Sequence, residues 1–121
     1  MNEQLIAITP SLIASLKSLR KLPKFLAAEM YPGAPSEEIR VEAEAHINVL
    51  IDNLIAGLPQ NPNKQFVMSE FMRAMENFKQ PDTEERERFC GYLEEIMDIT
   101  GIESSDGLLN KWLYSFSPLN S

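Results

Sequence analysis

Three side chains carry most of the chemistry this sequence offers: His46, Cys90 and Arg86. His46 is the only histidine. On a helical wheel it shares a stripe with Glu42, one turn earlier, and Asn53, two turns later, at the margin of an apolar face. A Glu-His pair on one helix supplies two metal ligands, whereas a stable site takes three or four. The chain has no HExxH, no ExxH pair and no Cys/His cluster. The expectation is a partly buried, hydrogen-bonded histidine and no metal or cofactor. Cys90 falls at the edge of an apolar face beside Phe89 and Leu93, where a nucleophilic thiol would need His46 or a cation close by to lower its pKa. A packed, unreactive thiol is expected.

Glu87, Glu94 and Asp98 line the polar side of the helix that carries Cys90. Paired acids do acid-base work only where burial separates their pKa values, so these are read as solvated. Arg86 lies instead on the apolar side, above Phe89, Cys90 and Leu93. It must either snorkel out of the core or pair with a carboxylate from another helix. Arg40 and Glu44 intrude into a neighbouring apolar face at i, i+4 spacing. Together they suggest an ion-paired polar layer at one end of the fold, with Arg86 as a candidate member. Met68, Met72 and Met75 are read as core filling rather than an adaptable binding groove. Trp112 and Phe116 are expected to dock inward, with Tyr114 at the margin. No glycine-rich phosphate loop, G-x-S-x-G elbow or dinucleotide fingerprint is present. No catalytic, cofactor or metal residue is assigned.

The elements that position these groups are helical. The segment from Glu37 to Leu58 has no internal proline, opens on Ser36-Glu37-Glu38 with a cap and first-turn acids, and stops at Gly57 and Pro59. Ile39, Ala43, Ile47, Leu50, Ile51, Leu54, Ile55 and Leu58 share one broad face, with Ala45, Val49 and Ala56 as a weaker stripe roughly opposite. Two apolar faces predict neighbours on more than one side, and therefore a central helix at about residues 37–58. Before it, Thr9-Pro10 opens a helix with Leu12, Ile13, Leu16 and Leu19 inward. Leu22-Pro23 breaks that helix. A short second one is expected over Lys24 to Met30, with Phe25 and Leu26 inward.

After the central helix, Lys64 to Lys79 buries Val67, Phe71, Ala74, Met75 and Phe78. Asp82 and Glu85 have the spacing of a capping box for the next helix, which ends at Gly101 with Ile102 as an apolar lock. Ser104-Ser105-Asp106 caps a last helix, and Ser117-Pro118 closes it. No strand-like alternation, repeat or low-complexity tract is found. The prediction is a single all-α domain over residues 1–121, an irregular bundle of five or six helices.

At 121 residues and 44% hydrophobic, the chain is long and apolar enough for one core. A formal charge of −7 argues against general nucleic-acid binding. A single cysteine, no membrane-length apolar run and no basic leader point to the cytoplasm. Charge is uneven. Residues 1–24 carry Lys17, Arg20, Lys21 and Lys24 against Glu3, while residues 80–110 carry nine acids against Arg86 and Arg88. Ordinary solvated faces explain most such runs, and a basic partner surface is the sharper alternative.

The C-terminal third, Asp82-Thr83-Glu84-Glu85-Arg86-Glu87-Arg88 through Gly101-Ile102-Glu103-Ser104-Ser105-Asp106-Gly107-Leu108-Leu109-Asn110 to Trp112-Leu113-Tyr114, resembles a family of small bacterial proteins of unknown function. The resemblance covers about 35 residues and implies a bacterial origin and a helical fold. It brings no known activity. The expected function is a non-catalytic protein-interaction module, of adaptor or immunity type, for a partner with a basic surface. The alternatives are a small-molecule binder or enzyme with an interhelical pocket using His46, Cys90 or Arg86, and a self-associating structural protein. A pocket holding two of those three side chains would favour the enzyme.

Overall fold

The computed structural model describes residues 4–114 and contains five helices. They are α1 (Pro10–Lys21), α2 (Glu37–Gly57), α3 (Lys64–Asn77), α4 (Thr83–Thr100) and α5 (Leu108–Tyr114). Among the described residues there is no strand, only two isolated bridges, Leu5 with Asn63 and Ala28 with Tyr31. α2 packs against α1, α3 and α4, so the central role expected of it holds. Its neighbours all meet the broad face, where Ala43, Ile47, Leu50, Ile51, Leu54 and Leu58 are buried. The weaker stripe opposite is not a second interface: Ala45, Val49 and Ala56 are exposed.

The caps follow local chemistry. Thr9, Ser36 and Asn63 each have extended backbone and accept a bond from the amide three residues on, satisfying donors a helix start leaves unpaired. Gly101 closes α4 in the left-handed region, the Ile102 amide reaches back to the Met97 carbonyl, and Ile102 is buried as the expected lock. The capping box at α4 does not form. Asp82 makes no side-chain cap bond, and Glu85 turns inward to accept a 2.7 Å bond from the Tyr31 hydroxyl. A buried donor competed successfully for that carboxylate.

The sixth helix is also absent, because residues 24–30 are drawn into tertiary contacts that a helix could not make. Lys24 is fully buried. Its ammonium donates to the Arg20 and Leu22 carbonyls and to Asn48 Oδ1 at 2.8–3.0 Å, using all three of its donors. The Lys24 amide donates to Glu44, and its carbonyl accepts from Arg40. Phe25 follows with φ of 61°, a strained value for a non-glycine residue. Its amide donates to the Tyr92 hydroxyl, its carbonyl accepts from the Ala34 amide, and its ring is buried. Leu26, expected inside, is instead 46% exposed.

Phe78 is the hub of the aromatic core. Its ring meets those of Phe25, His46, Phe89 and Trp112, tying the 24–35 loop, α2, α4 and α5 to the end of α3. Fully burying one such phenyl ring contributes roughly 1.5–3 kcal/mol.

Candidate functional site

Cys90, Arg86 and His46 occupy three different surroundings. Cys90 is buried on α4, where burial and the neighbouring Glu94 and Glu87 push its thiol up to about 12. Burial and two nearby carboxylates thus disfavour the thiolate that nucleophilic chemistry needs. Arg86 is buried at the start of α4. Its Nε donates to the Gln80 carbonyl at 2.8 Å, and its guanidinium lies 5.9 Å from the Trp112 ring centre. The expected polar layer forms around Arg40. Arg40 bridges Glu37 and Glu44 while also holding the Lys24 carbonyl, so it clamps the 24–35 loop. His46 is half-buried and turns an edge to Phe78 in place of the hydrogen bond expected of it. Burial lowers its pKa, with Glu42 opposing. His46 and Arg86 line different cavities.

His46 opens onto a cavity of about 290 Å³ between α2 and α3. The same helical spacing recurs on both walls. α2 contributes His46, Leu50 and Asn53, and α3 contributes Glu70, Arg73, Ala74 and Asn77. Positions i, i+4 and i+7 of each helix thus face a shared space. Glu70 is the unusual member. Its side chain is only 8% exposed, its Oε2 lies 3.6 Å from Arg73, and its Oε1 has no hydrogen-bond donor.

Two other surfaces lie outside this cavity. Met72, Met75, Phe78, Arg86 and Trp112 line an open cleft of about 770 Å³. The methionines therefore divide: Met75 is buried core, Met68 is half-buried, and Met72 is 52% exposed at the cleft. Trp112 docks inward and Tyr114 stays at the margin, as expected, whereas Phe116 and the Ser117-Pro118 stop lie outside the described residues.

The second surface is the outer face of α4. Glu84, Glu87, Glu94 and Asp98 are exposed at helical spacing, with Gly91 in the middle of the stripe and Glu95 beside it. A Cβ built on Gly91 would meet nothing within 4 Å. Nothing inside the described fold requires a glycine there, although it costs about 1 kcal/mol relative to alanine. The basic residues of α1 do not cover this face. Lys17 and Lys21 are exposed, Arg20 pairs with Asp52 of α2, and no described ion pair joins α1 to α4; Lys24, just beyond α1, is internal, with Glu95 acting on it only at a distance.

His46, Cys90 and the α4 acids stand out in the sequence, whereas Glu70, Arg73 and Asn77 do not. A glycine inside an otherwise strong helix was the available signal for Gly91. The register shared by His46 and Asn53 was the available signal for the cavity.

These features define a small all-helical protein of α2-centred architecture. The chain belongs to the DUF4844 family, a domain of unknown function, whose family model matches residues 7–117. A similar solved structure is that of a DUF3571 family protein from Acinetobacter baumannii AYE, 27% identical, with a TM-score of 0.78 over 86% of this chain and 89% of that one. No curated protein matches. The function of this chain is unknown. Among the described residues, no helix is long and apolar enough to cross a membrane, and no group of three or more His, Cys, Asp or Glu side chains is placed to hold a metal ion.

Proposed function

We propose that the protein is a non-catalytic interaction module, a single helical domain of the bacterial cytoplasm, that docks a basic protein surface on the outer face of α4. The observation that carries this reading is the solvent-facing stripe Glu84, Glu87, Glu94 and Asp98 around a glycine that the described fold does not need. A bare position inside a charged helix face lets a partner backbone approach closely while carboxylates on either side meet its cations. The same negative face repels nucleic acid. The disfavoured thiolate of Cys90 and the separation of His46 from Arg86 favour binding over catalysis.

The test is capture of partners from native cells by tagged wild-type protein and by a triple Glu87→Lys, Glu94→Lys, Asp98→Lys variant, each at low and high salt. A stoichiometric partner held by the wild type only at low salt, and lost by the variant, is the expected result. A partner held equally by both proteins, or none at either salt, overturns the reading.

A further inference from the structure

We propose that the cavity between α2 and α3 binds a free amino acid with a small side chain. Glu70 is more than nine-tenths buried at its wall, and one carboxylate oxygen has no donor from the protein. Burying an ionised carboxylate without its full set of donors is costly, so the arrangement makes physical sense when a small rotation of the side chain brings that enclosed oxygen to a donor from outside. A simple cation is not the best complement, because Arg73 stands beside Glu70 and would oppose a second positive charge. Burial disfavours the protonated form of His46, and Asn53 and Asn77 are neutral, so the charged side chains of the wall are Glu70 and Arg73, one of each sign.

A zwitterion matches that pattern. Its ammonium supplies donors to Glu70, and its carboxylate accepts from Arg73, whose side chain is 67% exposed and holds Glu70 only at 3.6 Å. The long contact leaves both ends of the pair open to better partners. Asn53 and Asn77 each offer a donor and an acceptor to the ligand's polar groups. Leu50 and Ala74 form the apolar part of the wall. About 290 Å³ lies at the low end of ligand cavities, which limits the side chain to a few heavy atoms. The site shares no residue with the α4 stripe and stands or falls independently of it.

Amide chemical shifts of isotope-labelled protein, followed while glycine, L-alanine, L-serine and L-asparagine are added separately, test the proposal. Methylammonium and acetate serve as half-ligand probes. At least one zwitterion should give saturable shifts over residues 46–53 and 70–77 with a Kd of about 1 mM or tighter, and either half-ligand should bind at least about tenfold more weakly. Glu70→Gln should lose at least about tenfold in affinity while its melting temperature does not fall. Should that variant fail to fold, Arg73→Gln alters a mostly exposed side chain and reads the carboxylate end of the same ligand. No saturation with any of the four, half-ligands as effective as the zwitterion, or a folded Glu70→Gln or Arg73→Gln that binds like the wild type would each overturn the proposal.

Discussion

Lys24 and Glu70 are both charged side chains carried into the interior, and the fold treats them in opposite ways. Lys24 is fully buried and every donor on its ammonium has an acceptor, two of them carbonyls at the end of α1, where the helix dipole favours a cation. Burial lowers its pKa, and the nearby Glu44 opposes that shift. Glu70 is almost as deeply placed yet has one distant ion pair and one oxygen without a donor. A satisfied buried charge holds structure together, whereas an incompletely satisfied one leaves capacity for something outside the chain.

Substitution at the two positions should therefore move stability in opposite directions. Lys24→Met keeps the length of the side chain but strands the Arg20 and Leu22 carbonyls and the Asn48 amide. It should cost about 3 kcal/mol or more in denaturant unfolding; a loss under about 1 kcal/mol would remove the distinction. Glu70→Gln replaces a poorly compensated charge with a neutral group of the same shape, so unfolding should show a gain of about 1 kcal/mol. A clear loss would mean that Glu70 is as structural as Lys24.

Asn48→Ala sharpens the comparison from the lysine side. It leaves one of the three ammonium donors unpaired and should cost about 1–2 kcal/mol, with strong coupling to Lys24→Met in a double-mutant cycle. The smallest effect concerns acid. The folded pKa of His46 is depressed below its unfolded value of 6.5, so the unfolded chain takes up this proton first. The stability it contributes is present above pH 6.5 and lost as pH falls through the folded pKa. His46→Gln should flatten that part of the stability profile by less than about 1 kcal/mol, and an unchanged acid slope would show that His46 protonates equally well in the folded protein.

Much of the scaffold was legible because its signals are local. Thr9-Pro10, Ser36 with Glu37 and Glu38, and Gly101 with Ile102 mark helix ends through bonds made within a few residues. The broad face of α2 announces itself by period alone. What could not be read depends on partners distant in sequence. The motif Asp82-Thr83-Glu84-Glu85 reads as a capping box until Tyr31, 54 residues away from Glu85, claims its carboxylate. Lys24 to Met30 has helix-forming composition, but burial of Lys24 and the Phe25 bond to Tyr92 require a different backbone. Lys24, Glu70 and Glu85 are polar residues that no local pattern marks as buried. The candidate cavity was half visible, through His46 and Asn53 on α2. Its α3 half, Glu70, Arg73 and Asn77, carries no local signal that separates it from a solvated helix face.

The strained turn at Phe25 also bears on the order in which the chain matures. Its left-handed backbone is held by the Tyr92 hydroxyl, 67 residues further on, and the amide of Ile6 likewise waits for the Pro62 carbonyl. A ribosome therefore releases the first two helices well before the groups that fasten their connection have been made. α1 and α2 can form early as segments, but the turn between them tightens only once most of α4 has emerged. Until then the first half of the polypeptide carries its apolar faces uncovered. The interval before Tyr92 emerges is when this chain most needs a chaperone.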